Sequence, residues 1–251
     1  MVEISAVIIT KNEAGAIAAC LQSLAGVADE VLVVDDHSTD DTLKIATNLG
    51  ARVLEHTWEG YGAQKNFGAS QASFDWILSI DADEQLSETL RQTIIRRKQQ
   101  ALNGVYGFNR LNFIGLKAIR FGAWYPDRKI RLYDRRKTEW SLAPVHEKLI
   151  AKKDNSFAPV TILAGDLLHF SYKDVDDMNE RSARYAERAA AIMVQRHTKH
   201  LVLKMLVHPA WKGFRSFVLK AGFLDGAYGW AVSRHMVKET YLKYYLAWKK
   251  R

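Results

Sequence analysis

The sequence predicts an α/β fold, with a mostly parallel central sheet flanked by helices and a helical C-terminal extension. Three observations predict it. Across residues 1–100, short β-branched apolar runs alternate with segments of helical periodicity, as parallel strands joined by crossover helices do. After about residue 170 the strand-like runs stop, and charged helical text gives way to basic-aromatic text. A length of 251 residues suits one such domain plus an extension, with ample chain for a core.

In order, Ile4 to Ile9 reads as a buried strand because it is apolar on both faces. Glu13 to Leu24 carries apolar residues at helical spacing and stops near Gly26. Val31 to Val34 is a second strand, and Ser38-Thr39-Asp40-Asp41 supplies caps and first-turn acids for a helix that ends at Gly50. A short strand over Ala51 to Leu54, a helix over Ala63 to Ala72 and a strand over Phe74 to Ile80 follow. Ser87 to Leu102 is a further helix, closed near Gly104. From there to about Leu163 the sequence is strand-like and loop-rich, and residues 174 to about 200 are helical. The expected division is an α/β domain over 1–170, with halves 1–100 and 101–170, and a helical extension over 171–251.

Ligands of such sheets gather at the carboxyl ends of the strands. Thr10-Lys11-Asn12-Glu13, Asp35-Asp36 and Asp81-Ala82-Asp83 all fall on that edge. Paired carboxylates at the mouth of a strand can hold a divalent cation, and the cation a diphosphate; the competing reading is turn chemistry. Charge favours the metal. Residues 1–100 hold 15 acids against 8 bases, a poor setting for an anionic nucleotide unless a cation intervenes. The formal net charge of +8 resides entirely in residues 201–251, where ten Lys or Arg oppose Asp225 and Glu239.

The lone Cys20 sits in an apolar-periodic stretch and reads as a core thiol, compatible with a reducing cytoplasm. No basic-then-apolar leader opens the chain, and no apolar run approaches the roughly 20 residues of a membrane-spanning helix. The expected place is cytoplasmic or peripheral to a membrane.

The segments Val7-Ile8-Ile9-Thr10-Lys11-Asn12-Glu13, Val33-Val34-Asp35-Asp36-His37-Ser38-Thr39-Asp40, Gln64-Lys65-Asn66 and Asp81-Ala82-Asp83-Glu84 resemble the inverting family 2 glycosyltransferases of GT-A fold. Lys129-Ile130-Arg131-Leu132-Tyr133, Val145-His146-Glu147 and Gly222-Phe223-Leu224-Asp225-Gly226 narrow the likeness to the branch that adds glucose, in β-1,4 linkage, to the inner core of lipopolysaccharide. The resemblance implies a UDP-sugar donor, a lipid-anchored oligosaccharide acceptor, Mg²⁺ or Mn²⁺, and a place at the cytoplasmic face of the inner membrane. It implies donor contacts from Thr10, Glu13, Asp36, Lys65 and Asp81: Asp36 on uracil N3–H, Glu13 on ribose or base edge, Lys65 on the nucleotide, Asp81 near ribose and metal. Asp83 would be the direct metal ligand. Asp35 shapes the turn, and Asp40 and Asp41 serve the helix.

Inverting transfer requires a carboxylate to take the acceptor proton on the face opposite the leaving diphosphate. Glu147, in a base-rich region, is the candidate, with an ordinary salt bridge as the alternative. His169 is a third candidate metal ligand or a core histidine. Arg110 to Lys137 holds nine bases against Asp127 and Asp134; Arg128, Lys129 and Arg131, with His146, are candidate acceptor contacts, or solvated hairpin charge. In the tail, Met236, Val237, Tyr241, Tyr244, Tyr245 and Trp248 recur at helical spacing beside cations, with Trp211, Phe214, Phe217 and Phe223 as an extension, a face suited to an anionic membrane surface or to packing on the catalytic domain or a dimer partner. A sugar-1-phosphate nucleotidyltransferase shares such a sheet but wants a Gly-rich loop after the first strand, where Thr10-Lys11-Asn12-Glu13 has none. A nucleic-acid-binding protein fits the pI near 9.4 but not an acidic strand edge.

Overall fold

The structure, a computed structural model, describes residues 2–143, 147–153 and 156–250. In chain order come β1 (Ile4–Thr10), α1 (Ile17–Ser23), β2 (Glu30–Asp35), α2 (Thr42–Asn48), β3 (Arg52–Glu55), α3 (Tyr61–Gln71), β4 (Trp76–Asp81), β5 (Glu84–Leu86) and α4 (Glu88–Gln99). They are followed by β6 (Val105–Ile114), β7 (Lys117–Ala118), β8 (Asp127–Asp134), β9 (Thr138–Trp140), β10 (Leu149–Ala151), β11 (Val160–Tyr172), α5 (Val175–Gln195), α6 (Leu201–Phe214) and α7 (Ala227–Lys249). The chain divides into two compact units, one of Met1–Arg110 with Arg128–His169 and one of Leu111–Asp127 with Phe170–Arg251.

The sheet of the first unit runs β3-β2-β1-β4-β8-β6-β11-β5. Its β3, β2, β1 and β4 are parallel, whereas β8 runs antiparallel to β4 and β5 antiparallel to β11. The sheet is therefore parallel where the strand–helix alternation lies and mixed beyond it. Each residue of β1 is buried, as two covered faces require. Alternate side chains go to opposite faces. Ile4, Ala6 and Ile8 join Ile17, Leu24, Leu90 and Ile94 on one side. Val7 and Ile9 join Ala69, Tyr133 and Trp140 on the other. Helix α3 approaches that second side very closely at Gly68, where an added Cβ would lie 2.3 Å from Val7 Cγ1 and 2.9 Å from Val34 Cγ2. Cys20 is buried in the first cluster, as expected, and burial raises its thiol pKa well above the usual value.

Helices α1 and α2 start later than expected, for local reasons. Helix α1 begins at Ile17, because Asn12 adopts a left-handed conformation (φ 54°) and the Glu13 carbonyl first accepts from Ala16 N and Ile17 N. Helix α2 begins at Thr42, after Asp40 Oδ1 has accepted from Thr42 N at 3.0 Å. Helix α4 starts as predicted, with Ser87 Oγ accepting from Leu90 N at 3.3 Å and basic residues in its last turn, the favourable arrangement for the helix dipole.

In the second unit α7 packs along α5 and α6. Its small cores are Ile114, Ile119, Met178 and Val232, and Ala190, Leu201, Tyr244 and Ala247. The apolar face expected on the last helix is thus divided. Tyr244 is buried and hydrogen-bonded to His208 Nδ1 at 2.7 Å, Met236, Val237 and Tyr245 are half-buried, and only Tyr241 and Trp248 are exposed. Large exposed apolar side chains gather instead on α6 and the π-helical turn Arg215–Leu219 after it. No helix among the described residues is long and apolar enough to cross a membrane.

Candidate active site

Strands β1, β2 and β4 end side by side, with Thr10 paired to Asp35 and Ile9 to Asp81 in register. The three segments picked out on the sequence therefore share one edge. At its outer end Asp36 accepts from Lys11 Nζ at 2.6 Å and from Trp58 N at 3.1 Å. The Lys11 hydrogen bond, against some desolvation, holds the Asp36 carboxyl below the ordinary range. Asp35, fully buried, accepts from Ser38 N at 2.6 Å and Ser38 Oγ at 2.5 Å, a turn-shaping pattern. Thr10 is buried, and its Oγ1 has no hydrogen-bond partner among the described residues. Glu13 is half-buried, its backbone N fixed by Thr42 Oγ1 at 2.8 Å.

The inner end is a buried charge network. Strand β4 ends at Asp81 and β5 opens at Glu84, so the turn between them presents Asp83 and folds Glu84 back, where its Oε2 accepts from Asp81 N at 3.1 Å. Arg131 Nη2 donates to Asp81 Oδ2 at 2.7 Å and to Glu84 Oε1 at 2.5 Å, and Arg110 Nη1 lies 3.4 Å from the same Glu84 oxygen. Desolvation works against ionisation of Asp81, but Arg131 and then Lys65 outweigh it and hold the carboxyl well below the usual range.

Lys65, supplied by α3, is 3 % exposed; its Nζ lies 2.8 Å from Glu147 Oε1, 3.8 Å from Asp81 Oδ1 and 4.6 Å from the Trp140 ring centroid. A lysine this deeply buried is held by its partners, which excludes a solvated helix position. Glu147, 82 positions later in the chain, is thereby brought beside Asp81. His169 Nε2 stands 3.3 Å from Asp83 Oδ2, because β11 pairs with β5 and sets His169 opposite Glu84. Four carboxylates (Asp81, Asp83, Glu84, Glu147) thus meet three fixed cations (Lys65, Arg110, Arg131).

Among the described residues, no group of three or more His, Cys, Asp or Glu could by itself hold a metal ion. The donors do fit an ion held only partly by protein. Asp83 and His169 converge, Asp81 Oδ1 is buried without a hydrogen bond, and the carboxylates outnumber the cations. Mg²⁺-like ions take one or two carboxylates and complete their shell from substrate phosphates and water.

Arg131 departs from its expected place. Grouped on the sequence with Arg128 and Lys129 as an acceptor contact, it is buried and directed at Asp81 and Glu84. Strand β8 pairs antiparallel with β4, which carries Arg131 beside the end of β4 that bears Asp81. Arg128 is exposed and Lys129 half-buried. His146 lies outside the described residues. Sequence reasoning missed Glu84, Arg110 and Trp140 as parts of the network. Only Glu84, adjoining the acidic triplet, carried a signal that could have found it.

The sequence profile described as "Glycosyl transferase family 2" matches residues 5–155. A protein of Rickettsia typhi named "Uncharacterized glycosyltransferase" is 32 % identical over 242 residues, covering 93 % of this chain and 82 % of its own. The "Lipopolysaccharide core biosynthesis glycosyltransferase LpsC" of Rhizobium meliloti is 28 % identical over 218 residues, covering 82 % and 77 %. Among solved structures, S. aureus TarS residues 1–349 superpose with a TM-score of 0.48 at 14 % identity, over 99 % of this chain and 91 % of that one.

Proposed function

The chain belongs to glycosyl transferase family 2, and we propose that it is a metal-dependent, inverting hexosyltransferase that moves glucose from UDP-glucose to the inner core of lipopolysaccharide. The observation that carries the proposal is the placement of buried Lys65 between Asp81, on the donor edge, and Glu147, from the later half of the domain. A cation there suits a leaving diphosphate, and a carboxylate beside it suits a base. The LpsC relative supports the lipopolysaccharide acceptor.

The first unit carries the chemistry. Asp36 receives the uracil N3–H, and Thr10 and Glu13 border the nucleoside. Asp83 and His169, with Asp81 beside them, would hold Mg²⁺ or Mn²⁺, which would supply positive charge against the diphosphate. The acceptor hydroxyl oxygen bonds to the anomeric carbon as the bond from that carbon to the diphosphate oxygen breaks, and the hydroxyl proton passes to Glu147. Lys65 meets the charge left on UDP. An anionic donor also competes for the Lys65 ammonium, which loosens its 2.8 Å pairing with Glu147 and frees that carboxylate to accept from the acceptor hydroxyl. Arg128, Lys129 and His146 face the acceptor, whereas Arg131 acts as the fixed counter-ion of Asp81 and Glu84. The acceptor is lipid-anchored, so the enzyme works at the cytoplasmic face of the inner membrane and has no nucleic-acid partner.

A screen of UDP-, GDP- and dTDP-sugars for hydrolysis, with and without EDTA, tests the reading. Chelator-sensitive hydrolysis of a UDP-hexose is expected. A preference for GDP- or dTDP-sugars, or turnover indifferent to EDTA, contradicts it.

A further inference from the structure

Within the second unit, α6 and the π-turn after it expose an apolar stripe. Leu203, Leu206, Val207, Trp211, Phe214 and Val218 follow helical spacing, yet Leu206 is 66 % and Trp211 54 % exposed. The opposite face is the packed one: Leu201, Pro209 and Ser216 are buried, and Gly213 lets α7 come so near that a Cβ there would sit 2.6 Å from Val237 Cγ2. The stripe is therefore a second apolar face left over after the helix has been used by the core, and its size exceeds the scattered exposure normal for a surface.

Charge identifies what covers it. From Arg188 to Leu224 the chain contains no Asp or Glu, while Arg188, Arg196, Lys199, Lys204, Lys212, Arg215 and Lys220 are all basic. Lys204 is half-buried beside the stripe and Arg215 and Lys220 are exposed, so long cationic side chains border the apolar surface as they do at a lipid headgroup boundary. The Trp211 and Phe214 rings, 6.1 Å apart, are of the kind that settles at that depth. The same face of a second copy is a poor occupant, because its segment from Arg188 to Leu224 brings the same cations and no acid to oppose them.

We propose that the α6 face, from Leu203 through Leu219, docks the protein on an anionic lipid surface, lying in the headgroup layer without crossing it. The inference extends the functional reading above, whose acceptor is lipid-anchored, and moves the membrane contact from the last helix to α6.

The test is flotation of the full chain with phosphatidylcholine vesicles prepared with and without phosphatidylglycerol, at low and high salt. Binding is expected only with phosphatidylglycerol, and it should fade with salt. Each base near an anionic surface is worth about fivefold in affinity, so Arg215→Glu/Lys220→Glu should bind at least about 25-fold more weakly. Leu206→Glu/Trp211→Glu should lose about tenfold or more through the apolar term. All four positions are exposed, and circular dichroism checks that the variants fold. Failure of the wild type to float overturns the proposal, as do variants that float like it. So does binding lost in Tyr241→Glu/Trp248→Glu but kept in the α6 variants, or a vesicle-free dimer that Leu206→Glu/Trp211→Glu dissociates. UDP-sugar hydrolysis by the same preparations reads the catalytic proposal separately: it should be unchanged in the α6 variants, and its absence from every form strikes that proposal and not this one.

Discussion

Replacing Arg131 by Met separates a buried counter-ion from a surface contact. Its guanidinium, 4 % exposed, donates to Asp81 at 2.7 Å and to Glu84 at 2.5 Å. At those distances and an effective dielectric of about 20, each pair is worth on the order of 6 kcal/mol of Coulomb energy, most of which offsets the desolvation of the charges. Methionine fills similar space but leaves two buried carboxylates with weaker partners. Loss of one member of a buried pair costs about 3–5 kcal/mol. Arg110 at 3.4 Å from Glu84 and Lys65 at 3.8 Å from Asp81 pull the expectation toward the lower end. At about 2–4 °C per kcal/mol for a chain of this size, Arg131→Met should unfold about 6–20 °C below wild type by differential scanning fluorimetry. Arg128→Met, at an exposed position of the same strand, should stay within about 0.5 kcal/mol of wild type. A pair of variants with equal, near-native melting would refute the network, and a raised acceptor KM for Arg131→Met at unchanged stability would restore the surface role.

Glu147→Gln keeps the size of the side chain but removes its basicity; transfer should fall about 10²–10⁴-fold at near-normal UDP affinity, and near-full activity would send the search for the base to Asp127, Asp134 and Glu139. Gly68→Ala should cost about 1–3 kcal/mol through overpacking against Val7 and Val34, whereas Gly15→Ala, with nothing within 4 Å of the added Cβ, should be harmless in the same urea titration. His235 is buried beside Trp124 and Tyr172, with Glu239 Oε2 3.6 Å away; burial and then Lys238 lower its pKa to about 4. Because it folds neutral, its contribution is complete above about pH 6.5 and fades as pH falls toward 4. The wild type should therefore lose about 3 kcal/mol more than His235→Gln over that window; parallel stability curves would show that His235 does not titrate in this way.

The parallel strands were legible because each is a short apolar run bounded by polar turn residues, and Ile4 to Ile9 admits no other reading. The strand-edge motifs were legible for the same reason: a carboxylate at the end of such a run has one place to be. The network beneath was not. Arg131 looks on the sequence like any base in a crowded basic segment, and only the pairing of β8 with β4 turns it toward Asp81. The Lys65–Glu147 contact spans 82 positions and leaves no local trace. In the tail, periodicity marked apolar residues on both α6 and α7 without saying which face the core would take. Packing of α7 against α5 and α6 decided it.

Calorimetric titration of UDP into the wild-type protein and Asp83→Ala, each with and without Mn²⁺, tests the central claim most directly. Asp83 and His169 stand 3.3 Å apart at a strand edge where carboxylates exceed cations, and on the proposed reading the diphosphate binds there only with the ion. The account predicts UDP binding by the wild type with Mn²⁺, little without it, and no gain from Mn²⁺ in a folded Asp83→Ala protein. Equal UDP affinity in wild type and variant, or affinity indifferent to the metal, would contradict it.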